Sequence, residues 1–400
     1  MTDTAAIRRS KKQVTKFGRS DRSPLGLWFW EIDRVLLILI TVLISIGLVA
    51  VAAASPSAAH RYSGGDVTFG PLYYFWRQLF WICLSVPVTL YISTFSRVKA
   101  RRFALAGALF FTIMLVAVPL IGFEKNGATR WIGVGIGQFQ PSEFLKPLFV
   151  VAIAWLLSLR QQDKSLPVVP LSGVLLFFIA ALLMKQPDFG QTVIFGVMWM
   201  ALLLLSGVSG RIVSGLVGGG MAAVVAAYFF YDVATSRINN FIYGEGDTYQ
   251  VDKAHATITN GGIFGTGPGG GSAKFNLPEA HTDYIYSVIG EEFGLIACLA
   301  VAAIYLAIVV RVFLKLLDEE DQFTMLAAAG LTTQIGVQAT INMAVNLQLA
   351  PSKGMTLPLI SYGGSSMIAL AIGLGLLLAF TRRNPYLNRS PYVVKWGGRT

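Results

Sequence analysis

The stretch Leu277-Pro278-Glu279-Ala280-His281-Thr282-Asp283 sets a dense group of ionisable residues at the mouth of an apolar run that itself contains Glu291 and Glu292. Charges placed in or beside a membrane segment are costly and mark function by default. The connections between other apolar runs add Arg130, Lys146, Lys185, Arg237, Lys253, Lys274 and Lys353, together with Glu143 and Asp188. That mixture suits activation of a hydroxyl and expulsion of a phosphate-type leaving group. A carboxylate serves as general base, and cations stabilise the developing negative charge. Spacing alone does not single out the base. Asp283 is favoured because it stands just before the apolar run, at the membrane surface, whereas Glu291 and Glu292 lie about 12 Å deeper at 1.5 Å per residue.

Each smaller feature has a structural reading beside the chemical one. In Gln140-Pro141-Ser142-Glu143-Phe144-Leu145-Lys146, Ser142 suits an N-cap and Glu143 the first helical turn. Lys146 falls on the same face as Glu143, as a simple pair or as a cation facing a polar cavity. Trp131 suits an interfacial anchor as well as a site wall. Lys185 and Asp188 flank the tight turn at Pro187 and are either snorkelling ends or site groups. Gly363-Gly364 with Ser361, Ser365 and Ser366 either lets helices approach closely or loosens a span so that it lines a polar cavity.

These residues need a membrane scaffold to position them. Hydrophobic residues make up 54% of the 400 and charged residues 13%, against about 25% charged in ordinary soluble domains. Ten apolar runs begin near Val35, Phe75, Phe103, Phe144, Val168, Phe189, Ile212, Tyr284, Phe323 and Leu357, each near the ~20 residues needed to cross a bilayer. The fold class expected is an all-α integral membrane protein of about ten transmembrane helices. With the amino terminus inside, 22 of the 32 Lys and Arg fall in inner segments, so both termini are expected in the cytoplasm. The net charge of +11 is then a topology signal with some affinity for anionic membrane lipid, and no basic stripe supports nucleic-acid binding.

The expected organisation is a basic tail at 1–33, a ten-helix domain at 34–380 and a tail at 381–400. The Ala- and Ser-rich end of the first run resembles a signal-peptidase site, but that run is too long for a signal h-region and reads as an uncleaved helix. Cys83 and Cys298 both fall within spans and read as small core hydrophobes. A long outer connection, 232–283 between helices 7 and 8, carries Gly265, Gly267 and Gly270 in a formal G-x-G-x-x-G match. It lacks the preceding strand and following helix of a nucleotide fingerprint, so it reads as turns folding the loop back over the membrane surface, or as backbone that approaches a phosphate closely.

The ordered motifs carry a resemblance. Asn126-Gly127 with Arg130-Trp131-Ile132-Gly133, Phe139 to Glu143 with Lys146, Gln186-Pro187-Asp188, Leu277 to Asp283 with Glu291-Glu292, and Leu357 to Ser366 resemble the shape, elongation, division and sporulation (SEDS) family of peptidoglycan polymerases, from Asp33 to Asn384. Pro278 to Asp283, and Asn342 to Asn346 running into Pro351 to Gly354, are more similar to its cell-division branch than to its elongation branch. The resemblance implies a glycosyltransferase of the bacterial cytoplasmic (inner) membrane that polymerises lipid II into β-1,4 glycan strands at the outer face, likened to the septal enzyme. It places the family's essential aspartate on Asp283, as general base. Arg130 and Lys146 would hold diphosphate or sugar, and Trp131, Glu143, Lys185, Asp188, Glu279, His281 and Ser361 would shape the substrate site. Glu291 and Glu292 would brace the cavity. The implied partners are lipid II, a class B penicillin-binding protein (the FtsI-like septal transpeptidase) and other division proteins. Diphosphate release leaves room for Mg²⁺ or Mn²⁺, although no acidic metal cage is evident in the sequence. The competing readings are a lipid II transporter, disfavoured because the charges cluster at the outer end rather than the midplane, an elongation-type polymerase of the same family, and a catalytically silent scaffold.

Overall fold

The computed structural model describes residues 24–64, 68–125, 128–244, 248–351 and 354–382. The remainder of both expected tails, together with Asn126, Gly127, Ser352 and Lys353, lies outside the described residues. Within the expected amino-terminal tail, Pro24–Glu31 forms a short helix, α1, whose sequence is apolar rather than tail-like.

Arg34–Thr381 form one compact unit. Its helices in chain order are α2 (Arg34–Tyr62), α3 (Tyr73–Ser93), α4 (Arg97–Ile121), α5 (Pro141–Ser158), α6 (Val168–Lys185), α7 (Phe189–Leu205), α8 (Gly210–Phe230), α9 (Asp232–Tyr243), α10 (Tyr249–Asn260), α11 (Ile285–Leu316), α12 (Gln322–Asn346) and α13 (Gly364–Thr381). Eight of these are long and apolar enough to cross a bilayer, and Phe189–Leu205 is a shorter apolar helix. Helices satisfy every internal backbone group without help from lipid, which is why such apolar runs take this form.

Helix α12 completes the set of ten among the described residues and has a different composition. It carries Gln334, Gln338, Asn342 and Asn346 at four-residue spacing, all buried. Residues at that spacing share one face, so α12 turns a ladder of amides inward. Helix α5 packs between α4 and α12, and α13 packs along α3; the buried Phe149, Leu145, Leu148, Leu377 and Phe380 fill the centre. Cys298 is buried in this core, whereas Cys83 is exposed on the outside of α3, contrary to the expectation that both are core residues.

Two irregular stretches break the helical pattern near the expected site residues. Between α4 and α5, Phe123–Lys125 (β1) and Ala128–Trp131 (β2) pair antiparallel as a small hairpin. Helix α13 starts at Gly364, seven residues after the expected Leu357. Pro358 sits in the intervening segment, Leu359 adopts φ 68°, and the Ser361 hydroxyl accepts from the Leu357 N–H (2.7 Å). This local side-chain bond and the left-handed residue compete with helix formation. Contrary to the expected surface turns, the 232–283 connection contains α9 and α10, and its glycine run turns inward against α11 rather than over the surface.

Candidate active site

The site is assembled from the hairpin, the start of α5, the α6–α7 turn, the 279–284 turns before α11, the α12 ladder and the segment leading into α13. Helix α5 begins at Pro141 with Gln140 in the cap position. Ser142 is therefore inside the first turn rather than the N-cap expected, because proline's fixed φ suits the first helical position. The shift still leaves Glu143 and Lys146 one turn apart. Their charges meet at 2.7 Å, with the Lys146 side chain almost wholly buried. The Lys146 ammonium also reaches Gln338 Oε1 at 3.4 Å, and the Gln191 amide donates to Glu143 Oε1 at 2.6 Å.

A second ionic group adjoins the first through Gln191, whose backbone N–H donates to Asp188 Oδ1 (3.4 Å). Asp188 N-caps α7, accepts from the Gln140 amide at 3.0 Å and lies 4.0 Å from Arg130 Nε. Arg130 crosses from the hairpin to donate to the carbonyls of Gln186 (3.0 Å) and Pro187. Burial raises the Asp188 carboxyl pKa, against the pull of the Arg130 guanidinium. Trp131 is half-buried on β2 beside Arg130, whereas Lys185 is exposed at the end of α6 and makes no ion pair with this group.

Asp283 is treated differently. Its backbone carbonyl accepts from the amides of Asn342 (2.8 Å) and Asn346 (3.1 Å). Asn342 also holds the Met355 carbonyl at 2.6 Å, and Asn346 Oδ1 accepts from the N–H and hydroxyl of Ser287. The main chain at Asp283 is therefore fixed from α12, while its half-buried carboxylate accepts no hydrogen bond from the described residues. Burial, followed by the Glu279 and Glu143 carboxylates, pushes its pKa up to about 7. Perturbed groups of this kind cluster at functional sites.

The flanking residues hold this turn. Glu279, at φ 51°, accepts from the Tyr62 hydroxyl (2.8 Å) and the Thr282 hydroxyl (2.7 Å). His281 is buried among aromatic rings, 4.2 Å from the Tyr74 centroid and 5.4 Å from that of Tyr362. Ser361 donates to the Thr282 carbonyl at 2.6 Å, and the Tyr362 N–H donates to the His281 carbonyl at 2.9 Å. Glu143, Lys146, Gln334, Gln338, Ser361 and Ser366 line a common cavity whose remaining wall, including Leu357, Leu359 and Met367, is largely apolar. Ser361 thus both faces this cavity and ties the Asp283 turn to the segment before α13.

Arg130, Glu143, Lys146, Asp188, Glu279, Ser361 and Asp283 gather at one end of the helices; Lys185 remains apart from these ion pairs. Glu291 and Glu292 face Lys274 and the glycine run instead. Sequence reasoning missed Gln191, Gln338, Asn342 and Asn346 as site residues. The four-residue repeat of amides in an otherwise spanning helix was the available signal, since polar groups at lipid depth require partners.

Comparison with known proteins gives the lineage. Residues 33–386 match the FtsW, RodA and SpoVE family model, described as cell cycle protein. A probable peptidoglycan glycosyltransferase FtsW from Caulobacter vibrioides is 40% identical over 370 residues, covering 92% of this chain and 94% of the relative. The FtsW of the same description from Geobacter sulfurreducens is 35% identical, covering 90% and 98%. Among solved structures, the rod shape determining protein RodA of Thermus thermophilus superposes with TM-score 0.64 at 25% identity, covering 88% of this chain and 96% of that one. A chain from a study of how a peptidoglycan synthase complex coordinates polymerization and crosslinking superposes with TM-score 0.70 at 25% identity, covering 88% and 97%. With its helical membrane architecture, its ordered motifs and a match along almost its whole length, this chain belongs to the FtsW, RodA and SpoVE family of cell cycle proteins.

Proposed function

We propose that this chain is a peptidoglycan glycosyltransferase that polymerises lipid II into β-1,4 glycan strands at the outer face of the cytoplasmic membrane, serving the division septum. The observation that carries this reading is Asp283: a carboxylate without a hydrogen-bond partner among the described residues, on a backbone fixed by two asparagines. Its pKa of about 7 suits a general base near neutral pH. The 40% identical FtsW relative supports the activity class.

In the proposed step, the 4-hydroxyl of the acceptor GlcNAc attacks C1 of the donor MurNAc as the Asp283 carboxylate takes the hydroxyl proton. The bond from C1 to the diphosphate oxygen breaks, and undecaprenyl diphosphate leaves with the bonding electrons. Attack opposite the leaving group converts the α-linked donor to a β product. Lys146 and Arg130 supply positive charge for the diphosphate, and Glu143 and Asp188 hold those cations in place before substrate arrives. Such preorganisation avoids reorganisation cost during the reaction.

Among the described residues no three His, Cys, Asp or Glu side chains form a metal-binding group. A Mg²⁺ or Mn²⁺ ion would rely on Asp283 and substrate phosphate oxygens, an arrangement Mg²⁺ commonly accepts; no step here is routed through it. The crosslinking partner is taken to be a class B penicillin-binding protein, by extension from the synthase complex that the structural relative represents.

The direct experiment adds fluorescent lipid II to the purified protein in vesicles, with and without the transpeptidase. Glycan strands are expected. Translocated but unpolymerised lipid would replace this reading with transport, and neither product would leave a scaffold.

A further inference from the structure

The glycine run and the buried Lys274, Glu291 and Glu292 take no part in the proposed step, yet they form one object. Helix α11 is broken at Gly294, where φ is 78° and ψ −179°. The preceding chain lies in the break. Thr266 and Gly267 donate their N–H groups to the carbonyls of Glu291 (2.9 Å) and Glu292 (3.0 Å), and Leu295 donates to Gly262 (3.0 Å). A Cβ at Gly265, itself at φ 81°, would stand 2.2 Å from the Glu292 carbonyl oxygen. Glycine is required there both for the left-handed backbone and for the close approach.

The side chains lock the same segment. Glu291 accepts from Asn260 Nδ2 (3.0 Å) and from the N–H groups of Ala273 (2.7 Å) and Lys274 (3.0 Å). Glu292 accepts from the Gly269 N–H at 2.9 Å and pairs with the Lys274 ammonium. That ammonium also donates to the Ala53 carbonyl of α2 at 3.0 Å. Lys274, Glu291 and Glu292 are each at most 1% exposed. Lys274 is therefore paired and shielded, rather than standing open to substrate among the cations grouped with it in the sequence. Burying such charges carries a desolvation cost even when they are paired, which points to a role other than simple stabilisation.

We infer that Lys274 is a positioning residue: with Glu291 and Glu292 it forms a buried clasp that closes the chain from 274 to 292 into a loop, and this clasp sets where Asp283 stands. Asp283 lies nine residues after Lys274 and eight before Glu291, near the middle of the closed loop. The clasp fixes both ends of that loop, and Asn342 and Asn346 fix its centre. The catalytic consequence rests on the glycosyltransferase reading above, whereas the clasp itself does not.

The test compares full-length wild type, Lys274→Met and the doubly neutral Lys274→Met/Glu292→Gln. Two measurements are made: kcat and KM for lipid II, and hydrogen exchange across residues 261–284. Lys274→Met is expected to lower kcat by roughly 100-fold, the effect of misplacing a catalytic group by about an ångström. KM should stay within about twofold and exchange across 261–284 should rise. The double variant should recover part of both effects, since the Glu292 charge that loses its cation in the single variant is removed. If Lys274→Met is too unstable to purify, Asn260→Leu, which removes one donor to Glu291, is expected to give the same kcat-selective loss at smaller amplitude. Unchanged kcat and exchange in the purified variant would overturn the inference. So would a rise in KM with unchanged exchange, which would make Lys274 a substrate cation. If wild type itself makes no glycan, the activity reading fails, and the exchange data alone decide the clasp.

Discussion

Asp283 and the Glu291-Glu292 pair lie within nine residues of one another at the same end of the same helix, and the fold gives them opposite surroundings. Each carboxylate of the pair is held by backbone N–H groups together with an amide or an ammonium and is sealed from solvent. The Asp283 carboxylate accepts no hydrogen bond from the described residues, although its main-chain carbonyl accepts two. A carboxylate held this way is a structural anchor, because its charge is already engaged by fixed donors. A poised one on a rigid backbone can accept a proton from a substrate. The difference arises from neighbours, since the residue types are nearly identical.

Neutralising each member of the comparison should separate the two roles. The largest stability effect is expected at the anchors of the site. Lys146→Met leaves Glu143 without its ammonium in a mostly buried position and should cost about 3–5 kcal/mol, read as a fall in thermal midpoint together with lost polymerisation. Next, the double change Asn342→Leu/Asn346→Leu frees the Asp283 carbonyl and should lower kcat by roughly 100-fold with little change in KM. An effect confined to KM would show that these amides serve substrate binding instead.

A pH dependence sharpens the contrast further. The Asp283 pKa lies near 7 in the folded protein, against an ordinary value of 3.8. Between those values the folded state binds the proton and the unfolded state does not, so this group's contribution to stability falls as pH rises from about 4 to about 7. Wild type carries the whole ionisation cost at pH 8. Asp283→Asn should therefore melt at a higher temperature than wild type at pH 8, with the difference shrinking toward pH 5; equal midpoints at both pH values would remove the strain assigned to this carboxylate. Wild-type kcat/KM should fall tenfold per pH unit below about 7 as the base protonates. The smallest effect is expected for Gly354→Ala, whose Cβ would stand 3.3 Å from Asp283 Oδ2. A several-fold loss of kcat is the expected result, and unchanged kinetics would show that the carboxylate shifts freely.

The spans were legible because lipid imposes a single demand, internal backbone hydrogen bonding over about 20 apolar residues. Observed starts at Arg34, Tyr73, Val168, Phe189, Gly210, Ile285 and Gln322 fall within two residues of those read from the sequence. The start of α13 was not legible, because Ser361 is held by Thr282, a contact across 79 residues. The ionic members of the site announced themselves by their cost in a membrane. Asn342, Asn346, Gln191 and Gln338 carry no charge and gave only a periodicity. The glycine run could be read as turns from its composition, but its destination against Glu291 and Glu292 depends on a break in α11 that no local pattern around Gly294 reveals.

The most direct test compares purified wild type, Asp283→Asn and Glu291→Gln in a lipid II polymerisation assay, with hydrogen exchange confirming the fold of each. The account predicts that Asp283→Asn stays folded and binds lipid II, yet loses roughly 100-fold or more in rate. Glu291→Gln, which keeps an acceptor oxygen for its N–H donors, should retain measurable polymerisation. Normal glycan synthesis by Asp283→Asn, or loss confined to Glu291→Gln, would contradict it.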